Sequence, residues 1–193
     1  MFEHNGKSYA RVTSDIIGSM RDSGGKFLVD FSHIDKEILD RKTAIGTNVH
    51  NAIHDDIQGN FPLLIGDEQG YFKSFDKWRR ALNPTFIETE RRYYCDEKMI
   101  TGCIDGLIKL HGEEKAVLVD FKTSAQESPI TWPLQGHLYH YLVNLTRDDL
   151  SPRILFIKLD RNGFLPKVFE YKVYSRTMDQ CMQAIATFWK DKK

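Results

Sequence analysis

The chain has 193 residues, 41% of them apolar and 28% charged, with 27 basic residues balancing 27 acidic ones. That length and apolar content suit a folded unit with a sizeable core and exclude a disordered chain. A formal net charge of zero excludes a histone-like, charge-driven nucleic-acid binder, but not an enzyme that holds phosphate through metals and local basic patches.

Met1 to Lys7 lacks the apolar core of a signal peptide, and no run is long enough to span a bilayer, so a cytoplasmic setting without membrane contact is expected. Gly6 to Ile17 reads as a short hairpin or strand followed by a turn, and Ser23-Gly24-Gly25 as a break. Ile34 to Gln58 is helical, with Ile38, Leu39, Ile45, Val49, Ile53 and Ile57 roughly on one side. Gly46 is a candidate interruption, and Gly59 to Pro62 ends the helix. Tyr71 to Leu82 is a second helix. Its Phe72, Phe75 and Trp78 stripe belongs to the core, and Lys73, Lys77, Arg79 and Arg80 form a solvated face that could meet phosphate.

After the Asn83-Pro84 break, Thr85 to Tyr94 reads as a strand, and Cys95 to Lys98 as a turn into the strand carrying Gly102 and Asp105. A polar turn, His111 to Lys115, leads to Ala116-Val117-Leu118-Val119, continuously apolar as in a strand buried on both faces. Thr123 to Ile130 is a polar loop. A helix starts near Thr131-Trp132-Pro133, with proline tolerated in its first turn, and runs to about Leu145. Arg153 to Asp160 and Lys167 to Tyr174 form a hairpin around Asn162-Gly163. The last helix has a capping-box candidate, Thr177 with Gln180, and a core stripe of Met178, Cys181, Met182, Ile185, Phe188 and Trp189. The order predicts an α/β (mixed α+β) fold, a central mixed sheet flanked by helices.

The chemistry gathers at Asp120-Phe121-Lys122. Positions two apart on a strand face one way, so Asp120 and Lys122 share a side that Asp105, on the preceding strand, can reach. Two carboxylates and a lysine there make a plausible divalent-metal site, with the lysine free to position water or stabilise negative charge. An Asp-x-Lys at a strand end is more often a solvated terminus, so the surrounding motifs decide. His50 and His54 have zinc spacing, but Asn51 stands where a zinc protease needs its glutamate. His54 alone reads as a surface or core histidine, and His137 and His140 as structural or substrate-facing rather than ligands. Cys95, Cys103 and Cys181 make neither a disulfide framework nor a zinc spacing; Cys103 and Cys181 read as small buried hydrophobes.

Four motifs lie in order: Gly46-Thr47-Asn48-Val49-His50, Gly102-Cys103-Ile104-Asp105, Asp120-Phe121-Lys122 and Gln135-Gly136-His137-Leu138-Tyr139. Together they resemble the PD-(D/E)xK nuclease superfamily, in its RecB-like exonuclease branch, over about residues 40 to 145. Tyr9 to Ser14 more loosely resembles the opening of phage-encoded members. The resemblance implies a restriction-endonuclease-like core at about 43–175, an N-terminal elaboration at 1–42 and a C-terminal helix at 176–193, all in one domain. It implies Mg²⁺ or Mn²⁺ held by His50, Asp105, Asp120 and the Phe121 carbonyl, with Asp105, Asp120 and Lys122 catalytic. Gln135 and Tyr139 would orient the site and the DNA, and Glu90 is a candidate second-sphere residue or ligand. The implied activity is a DNA exonuclease preferring single-stranded or frayed ends, in recombination, replication or repair, beside a single-strand-binding or annealing protein. The alternatives are an endonuclease on the same core and a silent DNA-binding subunit. The iron–sulfur cluster of some relatives is not expected, since the cysteines for it are missing. Nor is a nucleotide cofactor, since no phosphate-cradling Gly-rich loop with Lys-Ser/Thr is present.

Overall fold

In the computed structural model, which describes residues 1–192, the chain opens with a hairpin of β1 (Phe2–His4) and β2 (Lys7–Arg11). Asn5 and Gly6 turn it with φ of 48° and 72°, the positive pair that a tight two-residue loop requires. A π-helical turn, Val12–Ile17, follows. Helix α1 (Lys36–Ile57) starts at Asp35, whose carboxylate accepts from the Glu37 and Ile38 N–H groups. Its buried residues, Val49, Ala52 and Ile53, all lie in its second half. Gly46 does not interrupt the helix; it admits a close neighbour, since a Cβ there would lie 3.1 Å from Thr123 Oγ1.

Helix α2 (Asp67–Leu82) begins four residues before the predicted start. Its first turn is polar and so carries no apolar period, but Glu68 is buried there, accepting from Asn48 Nδ2 at 2.6 Å and from the Ile65 N–H. Half of the expected basic face is neutralised: Arg79 pairs with Asp56 and Asp76, and Arg80 with Asp76.

Strands β3 (Thr85–Cys95), β4 (Ile100–Lys109) and β5 (Ala116–Lys122) form an antiparallel meander. Helix α3 (Thr131–Asn144) then crosses to β6 (Leu150–Lys158), parallel to β5, and β7 (Lys167–Lys172) pairs antiparallel with β6. Helix α4 (Ser175–Asp191) closes the chain. It begins two residues before the expected capping box, so Thr177 and Gln180 lie inside it, and Tyr174 at its start has no side-chain cap. Instead the Tyr174 N–H donates to His137 Nε2 of α3 at 3.0 Å. No helix among the described residues is long and apolar enough to cross a membrane.

The sheet runs β1-β2-β4-β5-β6-β7, with β3 also on β4. Strand β3 occupies one edge of β4 along nearly its full length. The other edge is shared: β2 pairs in parallel with Ile100 and Thr101, while β5 pairs with Gly106 to Ile108. Residues 102–105 therefore lie at a fork where one partner leaves and another enters. Two cores cover the sheet. Along β5 and β6, Leu118, Ile154 and Phe156 pack with α3 and α4, while Val117, Val119, Phe121, Leu155 and Ile157 pack with α1 and α2. This is the period of two expected of strands covered on both faces.

Candidate active site

The alternation slips at the fork. Ile104 and Leu107 are three apart, yet both belong to the α3 side. Asp105 lies within that slip, and on β3 Glu90 takes φ 49° between the ladder pairs Thr89↔Gly106 and Arg91↔Ile104. A non-glycine residue in the left-handed region costs on the order of 1–3 kcal/mol and persists only where its surroundings impose it. Here it sets a third donor beside two others. One donor atom each from His50, Glu90 and Asp105 lies within 4.8 Å of the rest. His50 Nδ1 is 3.2 Å from Asp105 Oδ1 and 3.6 Å from Glu90 Oε1. Burial alone would lower the His50 pKa, but the two carboxylates outweigh it and hold the imidazole well above its ordinary value. Burial works against the Asp105 carboxylate, yet His50, Lys122 and a backbone donor keep its pKa below the usual range. That donor is the Phe121 N–H, 2.6 Å from Asp105 Oδ2.

A second group lies on the α3 side. Asp120 is 2% exposed and Lys122 pairs with it, its Nζ 3.1 Å from Asp120 Oδ2. Gln135 ties the two together: Lys122 Nζ donates to its Oε1 at 2.9 Å, and its Nε2 donates to Asp120 Oδ2 at 3.3 Å. Burial and the nearby Asp105 charge raise the Asp120 pKa despite Lys122. Asp120 Oδ1 is buried and pairs with the Lys122 ammonium. Tyr139, one turn beyond Gln135, is buried, with its hydroxyl 3.1 Å from Thr13 Oγ1. Its ring packs so tightly on Gly102 that a Cβ there would meet Tyr139 Cε1 at 2.7 Å.

The structure thus brings the sequence candidates together in two adjoining groups. His50 and Asp105 meet with Glu90, while Asp120, Lys122 and Gln135 form their own hydrogen-bonded trio. Asp120 stands outside the donor triad, close enough to Asp105 for its charge to be felt. Glu90 sits more centrally than its sequence context indicates, because nothing in the strand pattern signals a left-handed residue. Thr13 lies in the stretch that loosely resembles the opening of phage-encoded members, but nothing in the sequence marked it as a partner of Tyr139. Cys103, expected to be buried, is half-buried with Sγ 3.6 Å from Glu90 Oε2, and burial beside that carboxylate pushes its thiol up to about 12. His137 is structural, with Nδ1 on the Pro133 carbonyl at 2.7 Å and Nε2 on the Tyr174 N–H. Chemically, the triad offers one imidazole nitrogen and two carboxylate oxygens, beside the buried Asp120 carboxylate that Lys122 holds. That set fits a divalent cation of the Mg²⁺ or Mn²⁺ kind.

The fold is restriction-endonuclease-like. It is shared with the alkaline exonuclease of Laribacter hongkongensis, at a TM-score of 0.54 and 6% identity over 95% of this chain and 87% of that one. A Eubacterium rectale structure, described only as a candidate exonuclease, aligns at a TM-score of 0.50 and 10% identity over 93% of this chain and 78% of its own. No protein-family model and no curated protein sequence matches the chain.

Proposed function

We propose that the protein is a divalent-metal-dependent DNA exonuclease that hydrolyses phosphodiester bonds from free ends in recombination, replication or repair. The observation that carries this reading is the convergence of His50, Glu90 and Asp105 on one point beside the Asp120–Lys122–Gln135 trio. The likeness in fold to an exonuclease supports it.

In this reading His50, Glu90 and Asp105 hold the cation, and Asp120 and the Phe121 carbonyl are the remaining oxygen donors. A bound divalent cation supplies Lewis-acid polarisation of the phosphate and an acidified water. The chain's own residues do the rest. The Phe121 N–H fixes one oxygen of Asp105, leaving the other turned to His50. Gln135 and Asp120 aim the Lys122 ammonium, which is half-buried and so acts in a medium of reduced dielectric. There it positions the attacking water and stabilises the charge developing on phosphate. Tyr139, one turn along the same helix as Gln135, fastens that helix to the N-terminal turn through Thr13.

The test is digestion of end-labelled linear single-stranded, linear double-stranded and closed circular DNA with Mg²⁺, Mn²⁺ or EDTA. Metal-dependent loss of the linear substrates, with circles left intact, is expected. Efficient nicking of circles would replace this reading with an endonuclease, and no cleavage with either metal would leave a silent DNA-binding subunit.

A further inference from the structure

Glu90 holds its left-handed conformation in the middle of β3, so something beyond its own preference must impose it. The ladder to β4 constrains the strand from one side. From the other, α1 reaches the neighbouring residue. His54 Nδ1 is hydrogen-bonded to Thr89 Oγ1 at 2.6 Å, and Gln58 Nε2 donates to the same hydroxyl at 3.4 Å. His54 lies one helical turn after His50, on the same face. Helix α1 therefore grips the triad twice: it carries His50, and through His54 it holds the residue next to Glu90.

We propose that Thr89 and His54 are positioning residues that set the separation between His50 and Glu90, and through it the affinity of the site for a divalent cation. The proposal rests on the metal-site reading above. Its physical content is that a donor set binds well only when its members are held at fixed separations, and that the residues holding them matter nearly as much as the ligands. Without the Thr89–His54 bond, β3 at Glu90 is free to relax towards ordinary extended geometry. The Glu90 carboxylate would then turn away from His50. A hydrogen bond that served only to dock α1 on the sheet would affect folding stability and leave ion affinity unchanged.

The experiment measures Mn²⁺ binding to the full chain without DNA, by the loss of the free-ion electron paramagnetic resonance signal, alongside thermal melting in EDTA. Thr89→Val keeps the branched shape and deletes the hydroxyl; Thr89→Ser keeps the hydroxyl. Thr89→Val is expected to weaken Mn²⁺ binding about ten-fold, the lower end for such supporting residues, and Thr89→Ser to restore it. His54→Ala should weaken binding similarly, and it carries the test if Thr89→Val does not fold. Wild-type affinity in Thr89→Val or His54→Ala would overturn the proposal while leaving the metal site standing. So would a Thr89→Ser protein as weak as Thr89→Val. A wild-type chain that binds no Mn²⁺ would overturn the metal-site reading itself.

Discussion

Replacing Lys122 by methionine keeps the side-chain stem and removes the ammonium. The stem should stay where it is, because it lies beside the Phe156 ring, with Nζ 5.3 Å from the ring centre. Two charge-assisted bonds disappear, one to Asp120 and one to Gln135. A carboxylate left alone in the interior would cost about 3–5 kcal/mol. Asp120 has a milder course open, because its pKa is already raised: it takes up a proton and donates it to the vacated Gln135 oxygen. The remaining loss is that of a bond to a charged group, about 1.5–3 kcal/mol. For a chain of this size that is a fall in melting temperature of roughly 3–12 °C. The catalytic loss should be separate and larger in effect. Removing one preorganised group that meets transition-state charge lowers the rate on the order of 10²–10³-fold. Single-turnover cleavage in Mg²⁺, DNA affinity in Ca²⁺ and melting in EDTA read the three quantities independently. Cleavage within about three-fold of wild type would refute the role given to Lys122, because an interaction made only in the transition state must appear in the chemical step.

Two further predictions concern the scaffold. Burial lowers the pKa values of His137 and His140 in the folded protein, so the unfolded chain takes up protons first as pH falls. Their contribution is complete above the unfolded value of about 6.5 and is lost as pH drops below it towards the lowered folded values. Because the raised values of His50 and Asp120 act in the opposite sense over this range, the contribution is read as the difference in urea midpoint between wild type and His137→Gln, which should narrow between about pH 7 and pH 5 as protonation removes the acceptor for the Tyr174 N–H; a difference independent of pH would contradict the assignment. A Cβ at Gly70 would lie 1.6 Å from the Arg161 carbonyl oxygen, so Gly70→Ala must push the β6–β7 loop off α2. That breaks the Ser74 bond to the Asp160 N–H and should cost about 3 kcal/mol or more, read as a fall in melting temperature; an unchanged melting temperature would refute the packing argument.

Much of the fold was legible because its elements carry clean periods. The double-sided burial of β5 follows from four consecutive apolar residues, and the amphipathic stripe of α4 from positions three and four apart. Asp120 and Lys122 share a face as residues two apart should. What was not legible depends on departures from period. Asp105 cannot be placed by counting along β4, since the alternation slips between Ile104 and Leu107. Glu90 read as one acidic residue in a strand of mixed character, and its positive φ arises from contacts with α1 and β4, not from its own preference. The pairing of β2 with β4 had no local signal, because parallel partners are set by the whole sheet. Thr13 came with it.

That last pairing also orders events in time. Ala10 and Ile100 lie ninety residues apart, and closing so long a loop costs entropy before any contact returns it. The β3–β4–β5 meander, by contrast, needs only short turns. The N-terminal hairpin should therefore dock late in folding and detach early in unfolding, taking with it the hydroxyl that secures Tyr139. Hydrogen exchange would register this as early loss of protection at Ala10, whose N–H bonds the Met99 carbonyl, while β5 and β6 stay closed. The chain then completes its candidate site only on finishing its fold, and a nascent or partly unfolded copy lacks the last brace.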